Sequence, residues 1–241
     1  MNNLRQSNLK HLLSDCEYRY GLSLKHDIDQ TDAMREGIIF ESLVLGKKSD
    51  AIYDGAVGKK KSATIDFIEA QAKHVKEQFR NVTPFVKVQH EHRGELVTGE
   101  IDAIGDVWVK DGFIRAIIDL KYTGSIMNNW EELSREQHLQ SVQYPYLWFL
   151  EHGELLPFVY KIVDNKYKFP IVKTRMVTVT MQDFEWLESL WNRAIDTRVL
   201  MPNDGYATCT NRFSPCRYME HCEFGRKFLG STDILNFGEM A

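Results

Sequence analysis

Residues Gly99–Thr123 read GEIDAIGDVWVKDGFIRAIIDLKYT. Asp111-Gly112 is a strong two-residue hairpin signal between two alternating or apolar runs. With those two residues as the loop, Lys110 pairs with Phe113 and Asp102 falls opposite Lys121, Asp119 lying one diagonal step away. Side chains alternate along a strand, so Asp102, Asp119 and Lys121 leave one face of the hairpin. The other face carries Ile101, Ala103, Val107 and Val109 beside Ile114, Ala116, Ile118 and Leu120, and reads as core. A bulge at Gly105 would shift this register. Two carboxylates and an ammonium on one face suit a hard divalent cation held through carboxylate oxygens, with the lysine beside the attacking water. A solvated face with a weak ion pair is the plainer alternative.

The rest of the chain is ordinary in composition: 241 residues, 43% hydrophobic and 27% charged, with a formal charge of −4. That length can bury a real core, as one elaborated domain or as two. The charge excludes a histone-like polycation but leaves room for a locally basic groove. There is no run of about 18 apolar residues to span a membrane. The start, MNNLRQSNLKHL, is too polar for a signal peptide, so the chain reads as cytosolic, where disulfides are rare.

Residues 7–22 read as a helix capped by Ser7 or Asn8, with Leu9, Leu12 and Leu13 on one face and Cys16 late in it. Met34–Gly46 reads as a second helix carrying Glu41, with Ile38, Leu43 and Leu45 as its packing side. The glycines of Gly55-Ala-Val-Gly58-Lys59 are too close for a phosphate loop, which excludes ATP binding on that motif. Lys59, Lys60 and Lys61 are a solvated loop or, beside a nuclease site, a contact for DNA phosphates. A helix over 64–81 shows the stripe Ile65, Ile68, Ala72, Val75 and Phe79. Pro84 separates it from a strand over Phe85–Arg93, which Gly94-Glu95 turns into the central hairpin. A long helix over 130–151 follows, in which Gln140 and Tyr144 are neighbours and Pro145 introduces a bend. Two strands fall within 158–180 around Asp164-Asn165. A last helix over 182–199 carries Phe184, Leu187, Leu190, Trp191 and Ala194.

Three of the four cysteines, Cys209, Cys216 and Cys222, fall in one loop-rich stretch. Such clustering reads as zinc or iron–sulfur binding. The spacing lacks the C-x-x-C knuckle of most zinc fingers. His221 is a substitute ligand or, more simply, a surface residue.

GEIDAI followed by IIDLKYT resembles motifs II and III of the PD-(D/E)XK nucleases, in the RecB-like and AddB-like iron–sulfur exonuclease branch of phage and mobile-element type. In that family the first aspartate and the D-x-K pair bind metal and activate water. The resemblance extends from Ser7 to Cys222. The family's G-x-x-x-H motif meets Gly37-Ile38-Ile39-Phe40 here, so Phe40 stands where a histidine ligand is expected. Glu41 follows, at a place where related nucleases carry a glutamate ligand. The family's Q-x-x-x-Y motif fits Gln140 and Tyr144, with Gln143 and Tyr146 or Tyr144 as a rival alignment. Cys16 together with Cys209, Cys216 and Cys222 matches the branch's one distant and three C-terminal cluster cysteines.

The resemblance implies an α/β restriction-endonuclease-like core, a mixed central sheet flanked by helices, with a C-terminal cysteine-rich segment. It implies one nuclease domain over 1–241, clamped through residues 7–22 and 205–225. Asp102, Asp119 and the backbone carbonyl of Leu120, with Glu41, are the implied ligands of Mg²⁺ or Mn²⁺. Lys121, Gln140 and Tyr144 complete the implied catalytic set, and Cys16, Cys209, Cys216 and Cys222 hold a [4Fe–4S] cluster, Zn²⁺ being the alternative. The implied activity is a metal-dependent DNA nuclease, exonucleolytic, acting in recombination, repair or phage DNA processing. It would work in the cytoplasm of a bacterial or phage-infected cell, beside a recombination or single-strand-annealing protein. Two alternatives stay open. One is an inactive nucleic-acid-binding or assembly protein that keeps the fold, with Phe40 as its sign. The other is a zinc-stapled interaction module.

Overall fold

The computed structural model of the chain describes residues 3–14, 16–46, 65–124, 130, 132–167, 169–197, 216–223 and 225–226. The chain divides into two compact units, Met1–Asn3 with Gln30–Leu187 and Leu4–Asp29 with Glu188–Ala241.

In the first unit, helices α3 (Asp32–Leu45) and α4 (Ile65–Lys76) precede strands β2 (Phe79–His92), β3 (Glu95–Val109) and β4 (Gly112–Thr123). Helix α5 (Arg135–His152), strands β5 (Phe158–Asp164) and β6 (Val172–Val177) and the start of helix α6 (Met181–Asp196) complete it. Hydrogen bonding runs β2-β3-β4-β5-β6. The β4–β5 pair is parallel and the others are antiparallel, which makes the sheet mixed. Ile39, Phe40 and Val44 of α3 and Ile68, Ala72 and Val75 of α4 pack on Leu120 and Val163 of the sheet. Ile39, Phe40 and Val44 are the fully buried apolar residues of α3; of the expected packing side, Leu43 and Leu45 are half-buried against the same cluster, whereas Ile38 is not part of it. Thr31 caps α3 by accepting the Met34 amide, and Gly46 closes it in the left-handed region at φ 84°.

The central hairpin forms one residue earlier than expected. Its loop is Lys110-Asp111, and Val109 pairs with Gly112 and Trp108 with Phe113. Gly112 opens β4 at φ 139°, a backbone that favours glycine. The shift moves every cross-strand partner by two positions, so the faces are preserved while the partners change. Extending the observed pairing of Ala103 with Ile118 puts Asp102 across from Asp119, not Lys121. Ala103, Val107, Ala116 and Ile118 do form a core cluster, together with Val159.

The register of β2 against β3 is irregular between Arg80 and Thr83, on the strand facing Gly105. A Cβ at Gly105 would come within 2.8 Å of the Val82 Cα, so glycine lets the bulged strand approach. Helix α4 ends at Lys76 and Phe79 already belongs to β2, a strand longer than expected. Pro84 sits within β2, which pairs only with β3 among the strands of this unit and needs no amide there. The β2–β3 turn is Arg93-Gly94, both with positive φ, rather than Gly94-Glu95. Helix α5 starts at Arg135 behind a Ser134/Gln137 capping box and runs on through Pro145 to His152.

The second unit contains β1 (Asn3–Arg5, its first residue aside), α1 (Gln6–Leu9), a 3₁₀ turn over Lys10–Leu13 and α2 (Tyr18–Ser23). The single helix expected over 7–22 is thus two short pieces, and α1 starts at Gln6 without a side-chain cap. Cys16 sits in the break between the pieces. The Asn8 side chain reaches across to Ser23 instead of capping. Leu9, Leu12 and Tyr20 are buried here. Among the described residues no helix is long and apolar enough to cross a membrane.

Candidate active site

Period-two alternation on β4 sends Leu120 into the α3/α4 cluster and sends Asp119 and Lys121 out of the other face. Asp119 is 1% exposed. Its Oδ2 meets the Lys121 ammonium at 2.5 Å, and its Oδ1 accepts the Gln140 side-chain amide at 2.5 Å. Asp102 accepts the Leu120 amide through Oδ2 at 2.8 Å, which holds it over β4. Tyr160 of β5 is in register with Asp119. Its ring lies 5.7 Å below the Lys121 ammonium, and its hydroxyl donates to the Gln137 carbonyl at 2.6 Å. The Trp130 ring lies 5.5 Å from Tyr160 and extends this aromatic floor.

Burial dominates the two carboxyls of the site, and at its lysine burial is outweighed by the neighbouring carboxylates. Burial, then Asp119 and then Glu41 push the Asp102 carboxyl well above the usual carboxylate range, against Lys121 and the Leu120 amide. Burial also raises Asp119, despite the opposing pull of Lys121 and Gln140. Burial alone would lower Lys121, but Asp119, Asp102 and Glu41 together raise it. Every one of these shifts favours bound positive charge. Lys121 is consequently a fixed cation at neutral pH rather than a base. Burial likewise keeps the Tyr144 and Tyr160 hydroxyls protonated.

Asp102, Asp119, Lys121, Gln140 and Tyr144, named from the sequence, are thus brought together, with Glu41 of α3 within electrostatic reach of Asp102 and Lys121. The Tyr144 ring lies so close to Gly99 that a Cβ there would come within 2.8 Å of Cε1. Gln143, of the rival alignment, donates instead toward the Thr98 carbonyl at 3.4 Å, and Tyr146 stacks on Phe184 at 4.4 Å. Phe40 is fully buried and stacks on Tyr122 at 4.5 Å, a core contact and not a ligand position.

Two facing carboxylates suit a hard divalent cation that takes its remaining ligands from water and substrate phosphate. Among the described residues no three carboxylate, imidazole or thiol side chains converge into a ready-made ligand shell. In the second unit, Cys16 and Cys222 are buried and Cys216 is half-buried, and none of the three is in a disulfide. Cys216 and Cys222 share an apolar cluster with Leu22, Tyr218, Tyr18 and Ile28. His221 is exposed and stacks on His26 at 3.9 Å. Lys59, Lys60, Lys61 and Cys209 lie outside the described residues.

No protein-family model matches the chain, and no curated protein matches it. A solved structure from Eubacterium rectale, described as a "putative exonuclease", aligns over 87% of this chain and 93% of its own at a TM-score of 0.62 and 17% identity. The chain shares the fold of that structure. A second solved structure, SSO0001, covers 90% of this chain and 95% of its own at 13% identity, but at a TM-score of only 0.40. The sequence reading missed two residues that frame the site, and two buried polar residues on the opposite face of the sheet. Tyr160 and Gln137 frame the floor. Gln71, fully buried, accepts the Tyr122 hydroxyl at 2.5 Å and donates to the Asp164 and Tyr167 carbonyls at 3.0 and 2.5 Å. Lys161 is 1% exposed and donates to Gln78, the Trp108 carbonyl and Thr174. The signals were legible as breaks in pattern: a glutamine on the apolar stripe of α4 and a lysine inside FVYKIVD.

Proposed function

We propose that the chain is a divalent-metal-dependent deoxyribonuclease that hydrolyses phosphodiester bonds, acting as an exonuclease. The observation that carries this is the pair of half-buried Asp102 and buried Asp119, at the end of the β3–β4 ladder with Lys121 on the same side. Crowding two carboxylates together costs stability unless a cation uses them. Mg²⁺ or Mn²⁺, held by Asp102, Asp119, the Leu120 carbonyl and Glu41, would supply Lewis-acid polarisation of the scissile phosphate.

The chain's own residues do the rest. Lys121, a permanent cation braced by Asp119 and the Tyr160 ring, orients the attacking water and neutralises phosphate charge. Gln140 fixes the rotation of Asp119 through one oxygen and leaves the other to Lys121. Tyr144, kept protonated, is a hydrogen-bond donor and not a nucleophile. DNA in the cytoplasm is the proposed substrate, in recombination, repair or phage DNA processing beside a recombination or single-strand-annealing protein. Cys16, Cys209, Cys216 and Cys222 are proposed to hold a [4Fe–4S] cluster, or Zn²⁺, with a structural role only. One observation favours a second reading, an inactive nucleic-acid-binding or assembly protein: Phe40, buried where a histidine ligand is expected.

The deciding experiment is cleavage of linear, circular and single-stranded DNA with Mg²⁺ or Mn²⁺ by the native chain, Asp119→Asn and Lys121→Ala. Cleavage by the native chain, lost in both variants while each still folds and binds DNA, supports the nuclease. Undiminished cleavage by either variant removes this hairpin as the active site, and no cleavage by the native chain favours the second reading.

A further inference from the structure

Strand β6 and the β5–β6 connection lie beside the carboxylate site, which takes Tyr160 from β5 but no residue from either of them. Between Asp164 and Asp183 the chain carries Lys166, Lys168, Lys173 and Arg175 and no acidic residue, in a protein whose formal charge is −4. The same connection exposes large apolar side chains: Tyr167 at 56%, Phe169 at 80% and Ile171 at 51%. Rings so exposed beside cations are costly to keep in water unless they are used.

Sheet register ties this hairpin to the site. Asp119, Tyr160 and Arg175 are successive partners across β4, β5 and β6, and so are Lys121, Ile162 and Lys173. Residues in register share a face, so exposed Lys173 and Arg175 stand on the face of Asp119 and Lys121, about 10 Å away at two strand spacings. Strands β4 and β5 are parallel, so the β5–β6 connection leaves the sheet at the end where Lys121 lies. There the Asn165 amide donates to the Thr123 carbonyl at 3.2 Å. The connection is also pinned from inside, because Gln71 holds the Asp164 and Tyr167 carbonyls. Its backbone is anchored while its rings face water.

We propose that this hairpin is a track for single-stranded DNA, with Lys173 and Arg175 holding phosphates on the way to Asp102 and Asp119 and with Tyr167 and Phe169 stacking bases. A duplex hides its base faces and offers these rings nothing, whereas a single strand presents them. The placement beside the carboxylates rests on reading that site as a nuclease; the binding itself does not.

The test uses the full chain in EDTA and the fluorescence anisotropy of a labelled oligo(dT), free or annealed to oligo(dA). Tyr167→Ser with Phe169→Ser should weaken single-strand binding about tenfold or more and leave duplex binding unchanged. Lys173→Glu with Arg175→Glu should flatten the slope of log affinity against log salt by about 1.4. Hydrolysis of bis(4-nitrophenyl) phosphate with Mn²⁺ should be the same in both variants as in the native chain. Single-strand binding unaffected by the aromatic pair, or an equal loss on duplex, overturns the track. If the native chain hydrolyses neither the small diester nor DNA, the nuclease reading fails while anisotropy alone still decides the track.

Discussion

Gln140 on α5 and Asp119 on β4 meet at 2.5 Å, the amide donating to the one carboxylate oxygen that Lys121 does not hold. A single carboxylate is thereby fixed by two groups from two elements, and its orientation is decided before any substrate arrives.

Gln140→Ala should therefore lower kcat for DNA cleavage about tenfold or more while leaving the melting temperature nearly unchanged. Asp119 remains paired with Lys121 but is free to rotate. Single-turnover cleavage under saturating Mn²⁺ measures this, and an unaltered rate would remove Gln140 from the site.

Glu41 contributes negative charge to Asp102 and Lys121 from the side of α3. Glu41→Ala should raise the Mg²⁺ or Mn²⁺ concentration for half-maximal cleavage about tenfold. It should not melt the protein, because Ile39, Phe40 and Val44 carry the packing of that helix. A metal titration checks the first outcome and thermal unfolding the second.

The cysteines are tested by metal content. Cys16→Ser and Cys216→Ser, purified without oxygen, should each lose iron and lower thermal stability, since metal held only by the folded chain adds to folding free energy. If Cys16 is only a buried thiol, its replacement costs about 1–3 kcal/mol and the iron count per chain stays that of the native protein.

Lys161 predicts a pH dependence. Burial lowers its amine from 10.5 to about 8, although three oxygens accept from it. Between those values the unfolded chain binds more protons than the folded one, so stability rises with pH across that window. Against Lys161→Met, the native chain should gain up to about 3 kcal/mol from pH 7.5 to 10.5. Tyrosine ionisation affects both chains and cancels in the difference. Urea unfolding of the two proteins across that range measures it.

How far the sequence could be read depended on which physical rule was at work. Period-two alternation placed Asp102, Asp119 and Lys121 on one face, and that rule does not depend on where the turn falls. Asp111-Gly112 is a strong turn signal, yet the turn formed at Lys110-Asp111, which left the faces alone and exchanged the partner of Asp102. The helix over 64–81 ended early because Phe79, on the same apolar stripe, was claimed by pairing with Val107. No local propensity announces such a long-range contact. The break at Cys16 was equally hidden, since Leu9 and Leu12 keep helical spacing across a 3₁₀ turn. Of the site, the charged residues were legible, whereas Tyr160 was not, because an aromatic in an apolar strand looks like any other core residue.

The position of Asp119 on β4 has a cost for the protein itself. That strand pairs with β3 up to Ile118 and with β5 from Ile117 onward, and beside Asp119 the Leu120 amide is held by the Asp102 carboxylate, so its amides should exchange with solvent only when the unit opens. The two facing carboxylates cannot then relieve their repulsion by local fraying, and the folded chain carries that strain whenever no cation is bound. Asp102→Asn, which removes one of the charges without changing shape, should unfold at a higher temperature than the native protein. In the native chain, added Mg²⁺ or Mn²⁺ should recover part of the same gain. On this account the residues that equip the molecule for chemistry are those that its fold would be more stable without.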